Sequence, residues 1–388
     1  MAIENKIILK SAYVGSPNWD HTQKPCIGIL LVNLGTPDAP TPKALRRYLA
    51  EFLGDPRVVE IPRLIWMMIL HGIILRVRPK KSAKLYESVW INNSNKHNTG
   101  SPLLVFSEEV TDALRVMINQ KMLEQDYKQT PCKIALGMTY GSPSLETAMS
   151  ELKNQGATHL MVLPLFPQYS ATTTGAVFDG IAKVLQKWRW IPELYMAASY
   201  HDNPEYIQAC CDHLQKHLPQ PMPHVMFSFH GLPQRNLHLG DPYHCQCLKT
   251  ARLIVEKMQW KPEQWSFGFQ SRFGRAVWLQ PYTDSVLTER ARTYPGESVA
   301  VFCPGFTVDC LETLEEIKIQ SCEFFQHAGG GQYHYIPALN DSASHIESLA
   351  TVCMPILEVW QKKLVNSGLD DSTAGHAKTC PYNQLPKQ

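Results

Sequence analysis

Short, nearly unbroken apolar runs alternate along the chain with longer segments whose apolar residues recur every three or four positions. The runs predict strands over 27–34, 133–139, 159–165, 194–199, 224–229, 265–270, 298–303 and 333–337. The amphipathic segments predict helices over 107–125, 144–154, 204–217, 241–259 and 308–326, and a last one over 343–362. A strand that is apolar at every position has no solvent face, so it belongs in a parallel sheet covered on both sides. Strands that alternate with helices build such sheets, and the expected fold class is α/β.

The pattern occurs twice. Ile29-Leu30-Leu31-Val32-Asn33-Leu34-Gly35-Thr36-Pro37 and Val225-Met226-Phe227-Ser228-Phe229-His230-Gly231-Leu232-Pro233 are both apolar runs that end in Gly-x-Pro. Leu163-Pro164-Leu165-Phe166-Pro167 has a counterpart in Phe302-Cys303-Pro304-Gly305-Phe306 at a similar separation. Two similar Rossmann-like halves, each a mainly four-stranded parallel sheet flanked by helices, follow, with a cleft between them. The expected divisions are a polar extension over 1–24, an N-terminal α/β domain over 25–188 and a C-terminal α/β domain over 189–340. A helix over 341–364 would pack back on the first domain, and 365–388 would be a flexible tail too poor in apolar residues to pack.

Composition narrows the function. With 44% hydrophobic and 19% charged residues and a net charge of +2, the chain lacks the basic footprint of a nucleic-acid binder. Its 11 cysteines are odd in number and irregularly spaced, which argues against a secreted disulfide framework and for a reducing cytoplasm. The first residues carry no long apolar stretch, so no signal peptide is expected. The longest apolar run opens at Leu64 and closes at Leu75, well short of the ~20 residues that span a bilayer. Arg63 precedes it, and Arg76, Arg78, Lys80 and Lys81 follow. It is either a buried helix with a basic C-terminus or an apolar lip that touches a membrane surface or admits a greasy ligand.

Three segments carry candidate chemistry. His230 ends a buried strand, at the side of an open α/β sheet where ligands bind, and an imidazole moves protons or holds a metal near neutral pH. Its bland reading is a satisfied core histidine. Asp309, Glu312 and Glu316 are spaced i, i+3, i+7 on the helix expected after Pro304-Gly305, with Thr307 as its N-cap. They could pass protons or a cation, or simply form a solvated face. Phe166-Pro167-Gln168-Tyr169-Ser170-Ala171-Thr172-Thr173-Thr174-Gly175 gathers hydroxyls and amides that could receive a carboxylate or phosphate, or cap a helix. Tyr140 and Trp278 end strands in the same layer, where their faces suit a large flat ligand or ordinary packing.

These residues resemble the ferrochelatases, enzymes that insert ferrous iron into a porphyrin to make haem. The resemblance runs from about Gly28 to about Trp360. It rests on Val32-Asn33-Leu34-Gly35-Thr36-Pro37, Pro167-Gln168-Tyr169-Ser170, Ser228-Phe229-His230-Gly231-Leu232-Pro233 and Phe306-Thr307-Val308-Asp309-Cys310-Leu311-Glu312-Thr313, in order and at matching separations. It implies two four-stranded α/β domains with a cleft, a lyase of the metal-chelatase class, and release of two protons as protoporphyrin becomes protohaem. It also implies that His230 and Glu312 are catalytic and meet the metal, that Glu316 is the next acidic position outward, and that Tyr140, Tyr169 and Trp278 line the porphyrin pocket; Asp309, by its spacing, is expected with Glu316 on a proton or metal route, and Leu34 is expected to touch the porphyrin. The run from Leu64 to Leu75 resembles the lip of the pocket, which implies a cytoplasmic enzyme in peripheral contact with the inner membrane.

The chain departs from the family pattern at two positions. Cys310 stands where many members have histidine, and Gln320 where some extend the acidic file. No cofactor is expected beyond the substrate Fe2+, and no iron–sulfur cluster, since the tail offers only Cys380. His238, His244, Cys245 and Cys247 form a local group without the usual zinc spacing. A chelatase for coproporphyrin or sirohydrochlorin and a non-catalytic haem or porphyrin carrier are the rival readings. A carrier has no need of a carboxylate opposite His230.

Overall fold

The computed structural model describes residues 13–15, 25–92, 99–125, 132–274 and 276–366. Most of the predicted polar extension and the tail from residue 367, with Cys380, lie outside the described residues. In the first half, β1 (Cys26–Thr36), β2 (Cys132–Gly141), β3 (Ala157–Pro164) and β4 (Glu193–Met196) form a parallel sheet in the order β2-β1-β3-β4. In the second, β5 (His224–His230), β6 (Trp265–Gln270), β7 (Val299–Phe302) and β8 (Tyr333–Ile336) form another in the order β6-β5-β7-β8. Laying β1 on β5 superposes the two orders. The two Gly-x-Pro strands are thus the paired centres of a repeated topology.

The helices are α1 (Pro42–Phe52), α2 (Arg63–Ile69), α3 (Leu75–Val89), α4 (Pro102–Glu124), α5 (Leu145–Asn154) and α6 (Ala176–Leu185) in the first half. They continue as α7 (Pro204–His217), α8 (Gln234–His238), α9 (Tyr243–Met258), α10 (Thr283–Thr293), α11 (Cys322–His327) and α12 (Ala343–Asn366). Side-chain caps fix several starts: Thr41, Ser101, Ser144 and Asn203 each accept a bond from an orphan N–H of the first turn. Three segments wind as wider π-helix, Leu70–Ile74, Ala171–Gly175 and Glu312–Ser321.

One continuous core joins the halves. Ile27, Leu31 and Met161 of the first sheet and Phe227, Phe229 and Phe302 of the second pack with α4, α7, α9 and α12. The last helix lies against α4 and β3 of the first half, where Lys121 meets Glu347 at 2.6 Å and the Trp360 indole donates to Glu193 at 3.0 Å. The boundary expected at 188/189 falls one strand early, because β4 pairs with β3 in the first sheet. β4 is a four-residue edge strand with three exposed positions, so it lacks the buried run that marks the others. A separate cluster caps the C-terminal ends of β1 and β2, where Leu45, Tyr48, Leu70, Leu75 and Tyr86 from α1 to α3 cover Tyr140, Leu34 and Leu311.

Candidate active site

The two central strands each end at a glycine that has no room for a side chain. Gly35 has φ +112°, and a Cβ there would sit 1.8 Å from the Tyr140 carbonyl oxygen. A Cβ on Gly231 would lie 2.7 Å from the Gln270 carbonyl oxygen and 3.2 Å from the Trp278 ring. Bare backbone therefore lets β6 and Trp278 close in directly beyond His230.

His230 is half-buried, with its ring 6.4 Å from that of Phe306. Its Nδ1 lies 2.6 Å from the Gly231 carbonyl oxygen. A carbonyl only accepts, so Nδ1 carries a proton and donates it to Gly231, and Nε2 is the ring nitrogen this bond does not engage. The ring is aimed by its own turn.

Across from it begins the π-helix. The Gln270 side chain donates to the Glu312 carbonyl at 3.1 Å and accepts from Ser228 at 2.7 Å, and Ser228 also meets Thr283 at 2.8 Å. This buried thread ties the ends of β5 and β6 to the first residue of the helix. The Cys310 thiol, held protonated by burial, lies within hydrogen-bond reach of the Glu312 carboxylate. The Glu316 carboxylate is gripped by Ser271, whose N–H donates at 2.6 Å and whose hydroxyl donates to the other oxygen. Burial raises the Glu316 carboxyl above the ordinary range; the Ser271 bonds and His230 pull it down, and the charge of Glu312 pushes it up again. His230, Glu312 and Glu316 thus share one electrostatic neighbourhood.

Asp309 does not join them. The helix expected over 308–326 begins at Glu312 as a π-helix, and Asp309 precedes it, 3% exposed. Its Oδ1 accepts from Thr313 at 3.0 Å, from the Ala338 N–H at 3.2 Å and from the Tyr335 hydroxyl, and its Oδ2 accepts from Asn340 at 2.8 Å. Four donors from the surrounding fold therefore tie this buried carboxylate down, which marks it as a structural knot. Thr307 is not the N-cap either, since its hydroxyl donates across the halves to the Leu165 carbonyl at 3.0 Å.

The pocket residues predicted on the first half come together. Leu34 and Tyr140 lie in the cluster under α1–α3, and the Tyr140 hydroxyl donates to Asp55 at 2.9 Å. Asp55 also accepts from the Arg57 N–H at 2.8 Å, and Arg57 forks onto Asp179 at 2.8 and 3.0 Å. A Cβ on Gly175 would meet Arg57 Nη1 at 3.3 Å and the Tyr169 hydroxyl at 3.4 Å, so Tyr169 stands beside this network. Trp278 is buried, its indole donating to the Phe273 carbonyl at 2.9 Å. At the mouth, Arg78 lies 5.2 Å over the Phe273 ring and Arg235 pairs with Glu60.

The hydroxyl-rich turn receives a carboxylate from within the protein: Asp241 accepts from the Ala171 N–H at 2.8 Å and the Ser170 hydroxyl at 3.2 Å. The group around α9 is not drawn together. Cys245 is exposed, Cys247 is buried in the core, and the His244 ring stacks on Phe269 at 5.6 Å. Among the described residues no three His, Cys, Asp or Glu side chains form a ready ligand set. Gln270, Ser271 and Asp55 escaped the reading of the sequence. Gln270 pairs in register with His230, so applying the strand-end rule to β6 as well as β5 would have found it and its neighbour. Asp55 has no such marker.

The ferrochelatase family model matches residues 26–355. A ferrochelatase of Nitrosococcus oceani is 47% identical over 358 residues, covering 92% of this chain and 94% of its own. One of Shewanella denitrificans is 49% identical over 344 residues, covering 87% and 99%. Among solved structures, SirB from Bacillus subtilis with Fe3+ overlaps 84% of this chain and 93% of its own at TM-score 0.46 and 12% identity.

Proposed function

Because the chain belongs to the ferrochelatase family, we propose that it inserts ferrous iron into protoporphyrin to give protohaem, with His230 as the first proton acceptor. The observation that carries the assignment is the Nδ1–H bond to Gly231, which leaves Nε2 as the ring nitrogen able to take a proton, in the same electrostatic neighbourhood as Glu312 and Glu316. Metal insertion replaces both pyrrole protons. Nε2 takes one as general base, and Glu312 and Glu316 accept the other while their charge draws the hard cation inward. The apolar wall of Leu34 and the aromatic faces hold the macrocycle, and a rigid cleft that prefers its bent form lowers the barrier by differential binding. Iron is substrate in this scheme, and no resident cofactor is required.

The test is protein, protoporphyrin and ferrous iron without oxygen, followed by the collapse of the free-porphyrin spectrum. The protein as isolated should be colourless, and His230→Ala should lose turnover by about 100-fold or more. Turnover that survives the substitution would remove His230 from the role. A protein that binds porphyrin tightly but metallates none would be the carrier instead, and a preference for coproporphyrin would reassign the substrate.

The same reading gives the lip a surface to touch. No helix among the described residues is long and apolar enough to cross a membrane. Yet Leu64 is 84% exposed, and Met68, Ile73 and Val77 are exposed beside Arg76 and Arg78. An apolar face flanked by cations suits the surface of an anionic bilayer, on the cytoplasmic side, where cysteines such as the unpaired Cys245 stay reduced. Co-sedimentation with anionic vesicles should be lost in a Leu64→Gln, Met68→Gln double variant that keeps its turnover of a solubilised porphyrin. Undiminished sedimentation would count against the contact.

A further inference from the structure

Tyr169 belongs to the first half, but what holds it belongs to the second. Its backbone N–H donates to the Gln246 side-chain oxygen at 2.6 Å, from α9. The preceding residue, Gln168, is buried and donates to Thr250 of the same helix at 3.0 Å. The following residues, Ser170 and Ala171, both donate to one oxygen of Asp241, just before α9. The other oxygen of Asp241 accepts from the Tyr243 N–H at 3.0 Å. The Tyr243 hydroxyl in turn reaches the backbone of His230. A short chain of bonds therefore runs from the loop that carries Tyr169, through Asp241 and Tyr243, to the strand end that carries His230.

We propose that Gln246 and Asp241 are positioning residues, which fix the Tyr169 wall of the porphyrin pocket relative to the imidazole that takes the proton. The inference rests on the reading of Tyr169 as a porphyrin contact. Orphan N–H groups at the start of a helical turn need acceptors, and these could have come from the loop's own residues or from water. Ser170 caps the Thr172 N–H, but the acceptors for the Tyr169 and Ala171 N–H groups come from the opposite half. The position of the wall thus depends on how the halves dock. Misplacing a wall by a fraction of an ångström weakens the fit of a rigid, flat ligand.

The experiment is a porphyrin titration by fluorescence on the full chain, without iron, with turnover measured separately. Gln246→Ala should bind porphyrin about tenfold more weakly, as the loss of one well-made hydrogen bond to a binding loop predicts. Gln246→Glu keeps an acceptor of the same reach and should restore the affinity. In a Tyr169→Ala background, Gln246→Ala should weaken binding no further, because two residues that act through one contact are not additive. A purely structural role would leave the Gln246→Ala effect intact in that background, and this would overturn the inference, as would wild-type affinity in Gln246→Ala. If Tyr169→Ala binds porphyrin as the parent does, the pocket reading itself falls and the inference with it. If Tyr169→Ala is weak and Gln246→Ala is not, only the positioning role fails.

Discussion

At the scale of single residues, the site works by fixing which atoms are free to accept. The Gly231 carbonyl decides the tautomer of His230, and Ser271 decides the state of Glu316. Ser271 has φ 65°, a left-handed backbone that turns its N–H and hydroxyl onto the same carboxylate. Hydrogen bonds to an ionised carboxyl favour the ionised form, against the burial that raises it. Ser271→Ala removes one of the two bonds, so Glu316 should hold its proton to higher pH and accept a new one less readily. Turnover in Ser271→Ala should therefore fall more at pH 6 than at pH 8, by about tenfold at the lower value. An unchanged pH profile would show that Glu316 does not take part. His230 and Glu312 were legible in the sequence because an apolar run ended on one and a helix opened near the other. Ser271 was not, because nothing in Gln270-Ser271-Arg272 announces a left-handed turn.

At the scale of elements, the strands were legible and the acidic helix only half so. Buried parallel strands write themselves as apolar runs, and the two pairs of matched runs point to the duplicated sheets, each of four strands. β4, expected over 194–199, is a strand over Glu193–Met196, but it is short and exposed and joins the first sheet rather than the second. A π-helix is hidden from a reading based on a 3.6-residue period, since its bonds run from i to i+5. That spacing shows in the side chains, where Gln320 donates to Glu315 at 2.7 Å, five positions back. Gln320, which departs from the family's acidic file, is spent on that pair. The wider turn also starts later than an α-helix would and leaves Asp309 outside as its anchor. Asp309→Ala would strand the donors of Thr313, Tyr335, Ala338 and Asn340 in the interior. The expected cost is about 3–5 kcal/mol of folding stability, read from the midpoint of urea unfolding. A variant as stable as the parent would return Asp309 to the list of route residues.

At the scale of the whole molecule, three buried histidines make the fold sensitive to acid. His213, on α7, packs against Phe302 and donates from Nε2 to the Pro337 carbonyl at 2.9 Å. His345, on α12, donates from Nδ1 to the Asn340 carbonyl at 2.5 Å, and its Nε2 is buried without a partner. His224 opens β5 and is bonded to Glu263 and Ser266. Burial lowers each of the three to about 4, from an ordinary value of 6.5. The sign follows from proton counts. Above 6.5 the three are neutral folded or unfolded, and contribute no slope. Between 6.5 and 4 the unfolded chain takes up protons that the folded one refuses, so stability falls as pH falls. Each histidine accounts for a loss on the order of 3 kcal/mol across that window. The carboxylates Asp179, Glu193 and Asp202, held low by Arg57, Lys363 and Lys249, add a further loss of the same sign at lower pH. Urea unfolding at a series of pH values should show a flat plateau above about 6.5 and a steep decline toward 5, with a net uptake of protons on unfolding there. The decline should soften in His224→Gln, which keeps side-chain hydrogen-bonding groups at that position without a group that titrates in this range. A plateau that extends unbroken to pH 5 would mean that these imidazoles are not buried neutral in the folded chain.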